Sequence, residues 1–154
     1  MKKLVLVIVL AIFAYQAKAQ YTYPSFINST ESQVRAFMKQ KNGIITADRL
    51  VSAYFAVPAH KELSYKLPEA NVKKDDIYTA QFHIGKDGVC FQYNITYQTD
   101  RFLNGVIKQY DDPANGFKRV GTELHWIKPH IDVRIFNHSN DVNFTTFLLR
   151  VQKD

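Results

Sequence analysis

The stretch IYTAQFHIGKDGVCFQYNITY, residues 77–97, alternates apolar and polar side chains on both sides of a glycine-bounded turn. Tyr78, Ala80, Phe82 and Ile84 share one parity before the turn, and Val89, Phe91, Tyr93, Ile95 and Tyr97 share the matching one after it. A period of two over this length is the pattern of a strand with one buried face, so the stretch predicts an antiparallel hairpin. The GKDG segment at 85–88 supplies the glycines that a tight turn needs for positive φ. Two pairing registers keep the faces together. One sets His83 opposite Cys90; the other sets it opposite Gln92 with Cys90 diagonal. Both place His83 and Cys90 on the polar face.

An imidazole beside a thiol can lower its pKa and take its proton, which makes Cys90 and His83 candidates for a nucleophile and its base. A catalytic pair also needs an orienting group and an oxyanion site, and no cysteine-protease signature flanks Cys90. The expectation is therefore an incidental thiol on a strand. The same face has a broader property. Thr79, Gln81, His83, Cys90, Gln92, Asn94, Thr96 and Gln98 include no formal charge. Depleted charge and abundant amides are traits of a contact surface, which marks Gln81, His83, Gln92, Asn94 and Thr96 as candidate binding residues.

Outward from the hairpin the chain repeats a plan. TESQVRAFMKQKNG, opening at Thr30, carries Val34, Phe37 and Met38 at helical spacing, Gln33 placed for a capping box and Asn42-Gly43 as a stop. TDRFLNGVIKQYDDPANG, opening at Thr99, carries Leu103, Val106, Ile107 and Tyr110 on one helical face, with Asp100 near the positive end of the helix dipole. ELSYKLP corresponds to ELHWIKP, IYTAQFHI to IDVRIFN, and VCFQYNITY to VNFTTFLLRV. IITADRLVSAYFAV (44–57) is ambiguous, since its earlier part could be helical, and reads as a further strand because Ala53, Phe55 and Val57 alternate. The fold class expected is α+β: two amphipathic helices on one face of an antiparallel sheet, built as a tandem helix-plus-strands repeat over about 30–98 and 99–154. Equal halves could extend one sheet or pack two sheets face to face. This tandem plan in a small exported chain resembles the beta-lactamase inhibitor protein and the related PepSY-like periplasmic modules. The resemblance implies a concave sheet and a protein-binding or peptidase-related module. It rests on element order, with no motif residue to carry over, and this chain lacks the inhibitor's disulfides.

Lys2 and Lys3, the apolar run from Leu4 to Tyr15 and the small residues of QAKAQ read as a secretory signal over residues 1–19, cut between Ala19 and Gln20. The run is shorter than the roughly 20 residues that a membrane span needs, so no span is expected after cleavage. Localisation is then secreted or periplasmic, with residues 20–154 as a single domain. Loss of Lys2, Lys3 and Lys18 leaves 17 basic against 14 acidic residues, a net charge of +3. That charge, with no cluster of Arg and Lys among aromatics, argues against nucleic acid. One cysteine in an exported chain makes no internal disulfide, so packing must hold the fold.

The remaining motifs are weak. His125, His130 and His138 lack the spacing of a zinc motif, so no metal is expected. N-x-[ST] sequons occur at Asn28, Asn94, Asn137 and Asn143, and read as chance in an Asn- and Thr-rich chain behind a bacterial-looking signal. Trp126 reads as core. The sequence thus points to an exported module that binds an envelope or extracellular protein or peptide through its polar sheet face, without catalysis and without cofactor. Three alternatives stand beside it: a small-ligand carrier with a Tyr- and Phe-lined pocket, a Cys90-dependent enzyme, and a purely structural envelope component.

Overall fold

The computed structural model describes residues 25–68, 77–97, 103–141 and 144–153. They form an α+β structure dominated by one eight-stranded antiparallel sheet. In chain order come α1 (Glu31–Gln40), β1 (Ile44–Val51), β2 (His60–Lys66), β3 (Ile77–Ile84), β4 (Cys90–Tyr97), α2 (Leu103–Asp111), β5 (Lys118–Arg119), β6 (His125–Lys128), β7 (Ile131–Asp141) and β8 (Phe144–Lys153). The strand order is β1-β2-β3-β4-β8-β7-β6-β5. The open choice between one sheet and two is resolved as one, joined where β4 pairs antiparallel with β8. The signal cleavage site and residues 69–76 lie outside the described residues.

The start of α1 follows its sequence. Thr30 Oγ1 accepts from the Gln33 backbone N–H, and the Gln33 side-chain oxygen accepts from the Thr30 N–H at 2.8 Å, which satisfies two end donors reciprocally. Val34 and Met38 are buried and Phe37 is partly so. The helix stops where a Cβ on Gly43 would stand 2.9 Å from Met38 Cε and 3.1 Å from the Met38 carbonyl oxygen. In α2, Val106 and Tyr110 are buried, with Leu103 and Ile107 packed against the core. Phe26, just before α1, meets Phe37, Phe82 and Tyr93 edge-on with ring centroids 4.9–5.2 Å apart, a favourable arrangement of aromatic quadrupoles. The sheet's contribution to this core is Leu63 and Tyr65 of β2, Phe82 and Ile84 of β3, Tyr93, Ile95 and Tyr97 of β4, Trp126 of β6, Val133 of β7, and Leu149 and Val151 of β8.

The segment 44–57 is strand only as far as Val51. Beyond it, Tyr54 and Val57 exchange backbone hydrogen bonds at 2.9 and 3.0 Å around a tight turn, and Phe55 sits at its tip with φ of 49° and 91 % exposure. The alternation of Ala53, Phe55 and Val57 is thus a turn and not a strand. β1 is an edge strand, and its helix-side position Asp48 is held by Arg35 and Lys61 at 2.6 and 3.3 Å.

Candidate functional site

The β3–β4 turn sets the register of the central hairpin. Gly85 and Gly88 are joined by a backbone hydrogen bond of 3.0 Å, and Gly88 takes φ of 78°, the left-handed residue of a bulged hairpin turn. The register then slips between His83 and Ile84: His83 stands opposite Gln92, while Ile84 stands opposite Cys90. Phe91 is the extra residue of the bulge. Its ring lies 5.7 Å from that of His60 and 6.1 Å from that of His83, away from the apolar set it was expected to join.

That slip takes Cys90 off the polar face that it was expected to share with His83. Cys90 is fully buried in the hydrophobic core and its Sγ donates to the Gln92 carbonyl at 3.2 Å. The chain ahead of α1 seals it: Asn28 N–H donates to the Cys90 carbonyl at 2.9 Å and Cys90 N–H to the Ser29 carbonyl at 2.8 Å. Burial pushes the thiol up to about 12, the opposite of an activated nucleophile. We expect an aromatic disulfide reagent at pH 8 to leave the folded protein unmodified and to titrate one thiol after denaturation; rapid labelling of the folded protein would overturn this placement.

His83 has a different partner. His60 Nδ1 lies 2.8 Å from the Pro58 carbonyl oxygen, which can only accept, so His60 Nδ1 carries the proton. In the neutral ring His60 Nε2 then accepts, and His83 Nδ1–H donates to it across 2.7 Å. The His83 Nε2 lone pair is left buried without a partner among the described residues. Burial, then the neighbouring His60, lowers His83 to about 4.

The polar face of the sheet forms rows across the strands. Glu62, His83, Gln92, Gln152 and Asp132 make one. Ser64, Gln81, Asn94, Arg150, Arg134 and His125 make the next. Thr79, Thr96, Leu148 and Phe136 make a third. All five candidate binding residues stand on this face. The second row is tied along its length: Asn94 Nδ2 donates to Gln81 Oε1 at 2.9 Å, and Arg150 Nε donates to Asn94 Oδ1 at 3.1 Å. The uncharged character holds for β3 and β4 only. Their neighbours bring Glu62, paired to Arg49 at 3.1 Å, and on the other side Arg150, Arg134 and Asp132. Gln98 lies outside the described residues.

Asp132 accepts from Arg134 Nε at 3.0 Å and lies 2.7 Å from His125 Nε2. Burial alone would raise its carboxyl, but the hydrogen bonds from Arg134 and His125 outweigh that and hold it below its ordinary value. Among the described residues no group of three His, Cys, Asp or Glu side chains is placed to hold a metal, and no helix is long and apolar enough to cross a membrane. Strand order was the missing signal for the charged flanks, because it brings β2 and β8 to the hairpin from distant parts of the chain. Comparison with protein-family models, with curated proteins and with solved structures found no match.

Proposed function

We propose that this chain is a non-catalytic binding module that captures a protein or peptide on the polar face of its sheet, after export and signal removal. The observation that carries the reading is the ladder from Gln81 through Asn94 to Arg150, which spans three strands with its donors and acceptors already aligned. Side chains held before binding lose little further conformational freedom when a partner arrives. Both helices, on this reading, pack against the opposite face: Val34, Met38, Val106 and Tyr110 share one buried cluster with Leu63, Phe82, Tyr93 and Trp126. The strand order, which reads the same way inward from both edges, supports a tandem repeat behind this arrangement. The resemblance to beta-lactamase inhibitor protein-like modules points to the same use of a sheet.

The test is a photoreactive residue at Thr96, on the open face, compared with one at Lys86 in the exposed β3–β4 turn. We expect a saturable protein adduct from Thr96 alone, abolished in the Gln81→Ala/Asn94→Ala variant at an unchanged melting temperature. Equal adducts from both positions, or full capture by the double variant, would refute the assignment. A second reading, a small-ligand carrier, is supported by a cavity of about 910 Å³ at the end of the sheet, where Val57, Pro58, Val89 and Phe91 supply apolar walls and Lys86 and Lys153 stand in the lining. Mass spectrometry of the purified protein would favour it by showing a stoichiometric bound small molecule.

A further inference from the structure

Arg134 and Arg150 stand directly opposite each other where β7 pairs with β8. Like charges at such positions repel, and a guanidinium does not escape by losing its proton. Arg134 is offset within its own strand: its Nε and Nη2 donate to the two Asp132 oxygens at 3.0 and 3.3 Å. Arg150 is held differently. Its Nε donates to the Asn94 amide oxygen, its Cζ lies 5.2 Å from the Phe136 ring centroid, and no carboxylate reaches it among the described residues. An amide and an aromatic ring therefore fix the plane of this guanidinium without neutralising it.

Both arginines line a cavity of about 580 Å³ on the open face, together with Lys128, Gln152, Asp132 and flanking isoleucines. The Lys128 ammonium is turned away, 4.9 Å from the Phe117 ring centroid, so two guanidiniums and one acid leave the polar-face wall one positive charge in excess. A guanidinium presents paired N–H groups at the spacing of a carboxylate, so the oriented Arg150 is a preformed half of a fork-to-fork contact. Asp132 in the same wall repels a doubly charged phosphate more strongly than a singly charged carboxylate, and the exposed Ile127 suits the aliphatic stem of an acidic side chain.

We propose that this cavity is a carboxylate-binding site, and that the partner of the open face is an acidic peptide segment whose Asp or Glu side chain is clasped between Arg150 and Arg134. The inference rests on the open-face reading and names the chemistry of its partner. Gln152 contributes a donor at the rim, and the amides of Gln81 and Asn94 extend the contact along the row.

The test follows the arginine Nε–H resonances of the ¹⁵N-labelled protein during titration with a hexaglutamate peptide, a hexaglutamine peptide and inorganic phosphate. Hexaglutamate is expected to move the Arg150 and Arg134 signals saturably, while hexaglutamine leaves them in place. Arg150→Gln should weaken hexaglutamate binding by about tenfold or more, and Arg150→Lys, which keeps the charge and loses the fork, should weaken it by several-fold. Lys39→Gln on α1 is the control for general charge, and the Lys variant carries the test if Arg150→Gln fails to fold. No shift at millimolar hexaglutamate, an equal loss in Lys39→Gln, or tighter binding of phosphate would each overturn the proposal. The two readings separate cleanly. Partner capture at Thr96 with no hexaglutamate binding leaves the open face standing and removes the carboxylate site. Hexaglutamate binding lost in Arg150→Gln, with no capture at Thr96, upholds the site and removes the macromolecular partner.

Discussion

Trp126→Ala is expected to destabilise the fold by about 4 kcal/mol, the range for emptying a large aromatic site in a packed core. Trp126 is fully buried on β6, and its ring centroid lies 5.6 Å from that of Tyr110 on α2. Its Nε1–H donates to Asp111 Oδ1 at 2.7 Å, at the last residue of α2, while Arg119 on β5 places its guanidinium carbon 5.4 Å from the ring centre. One side chain therefore ties α2 to β5 and β6 through packing, a charge-assisted hydrogen bond and a cation–π contact. Truncation removes all three and leaves a cavity that its neighbours fill only in part. Trp126→Phe keeps most of the apolar area and loses the indole donor, so a loss of about 1–2 kcal/mol is expected from that variant. Urea unfolding followed by far-UV circular dichroism reads both. A loss under about 1 kcal/mol for Trp126→Ala would mean that α2 is not anchored through this ring.

What the sequence could reveal depended on the range of the forces involved. The capping box at Thr30 and Gln33, the buried stripe Val34–Met38 and the alternation along β3 are local, and each is legible because side chains a few residues apart decide it. The expected polar face of Gln81, Gln92, Asn94 and Thr96 was legible for the same reason. The register that sets His83 opposite Gln92 is one of the two the alternation allows, but the expected placement of Cys90 on the polar face beside His83 failed on a single inserted residue. The bulge at Phe91 passes Cys90 to the apolar side, and a one-residue slip reverses every assignment beyond it. Nothing in the alternation of GVCFQY announces that slip. His60 was invisible as the partner of His83, because 23 residues separate the two in sequence and only the pairing of β2 with β3 brings them together. The charged flank of the open face was out of reach too: Arg150 meets Asn94 only because β8 inserts beside β4 in the middle of the sheet. Short-range patterns thus specify which side chains share a face, and strand order specifies which faces become neighbours.

Acidification from pH 7 to pH 4.5 is expected to destabilise the protein through His83, and Gln at that position should remove the effect. Burial against Phe91, the facing His60 and the nearby Arg150 all disfavour a charged ring, while Glu62 opposes them only in part; together they bring His83 to about 4. In the unfolded chain the same ring titrates near its ordinary value of about 6.5. Above that value the ring is neutral in both states and stability is at its full level. As the pH falls through 6.5 toward 4, the unfolded chain takes up a proton that the folded protein refuses, so stability is lost over that window and stops falling once both states are charged. The full separation corresponds to about 3 kcal/mol at 1.36 kcal/mol per unit, and partial solvent access to the ring trims this to about 2 kcal/mol. Glu31, Asp48 and Asp132, all held below the ordinary carboxylate range, contribute losses that begin lower on the pH scale. The interval from 7 to 4.5 therefore reports chiefly on His83. Gln at position 83 keeps a side-chain donor for His60 Nε2 and cannot titrate. Urea midpoints measured across this interval should fall less steeply for His83→Gln than for the parent protein. Parallel slopes would show that His83 takes up its proton as readily folded as unfolded, and that the ring is not buried against His60.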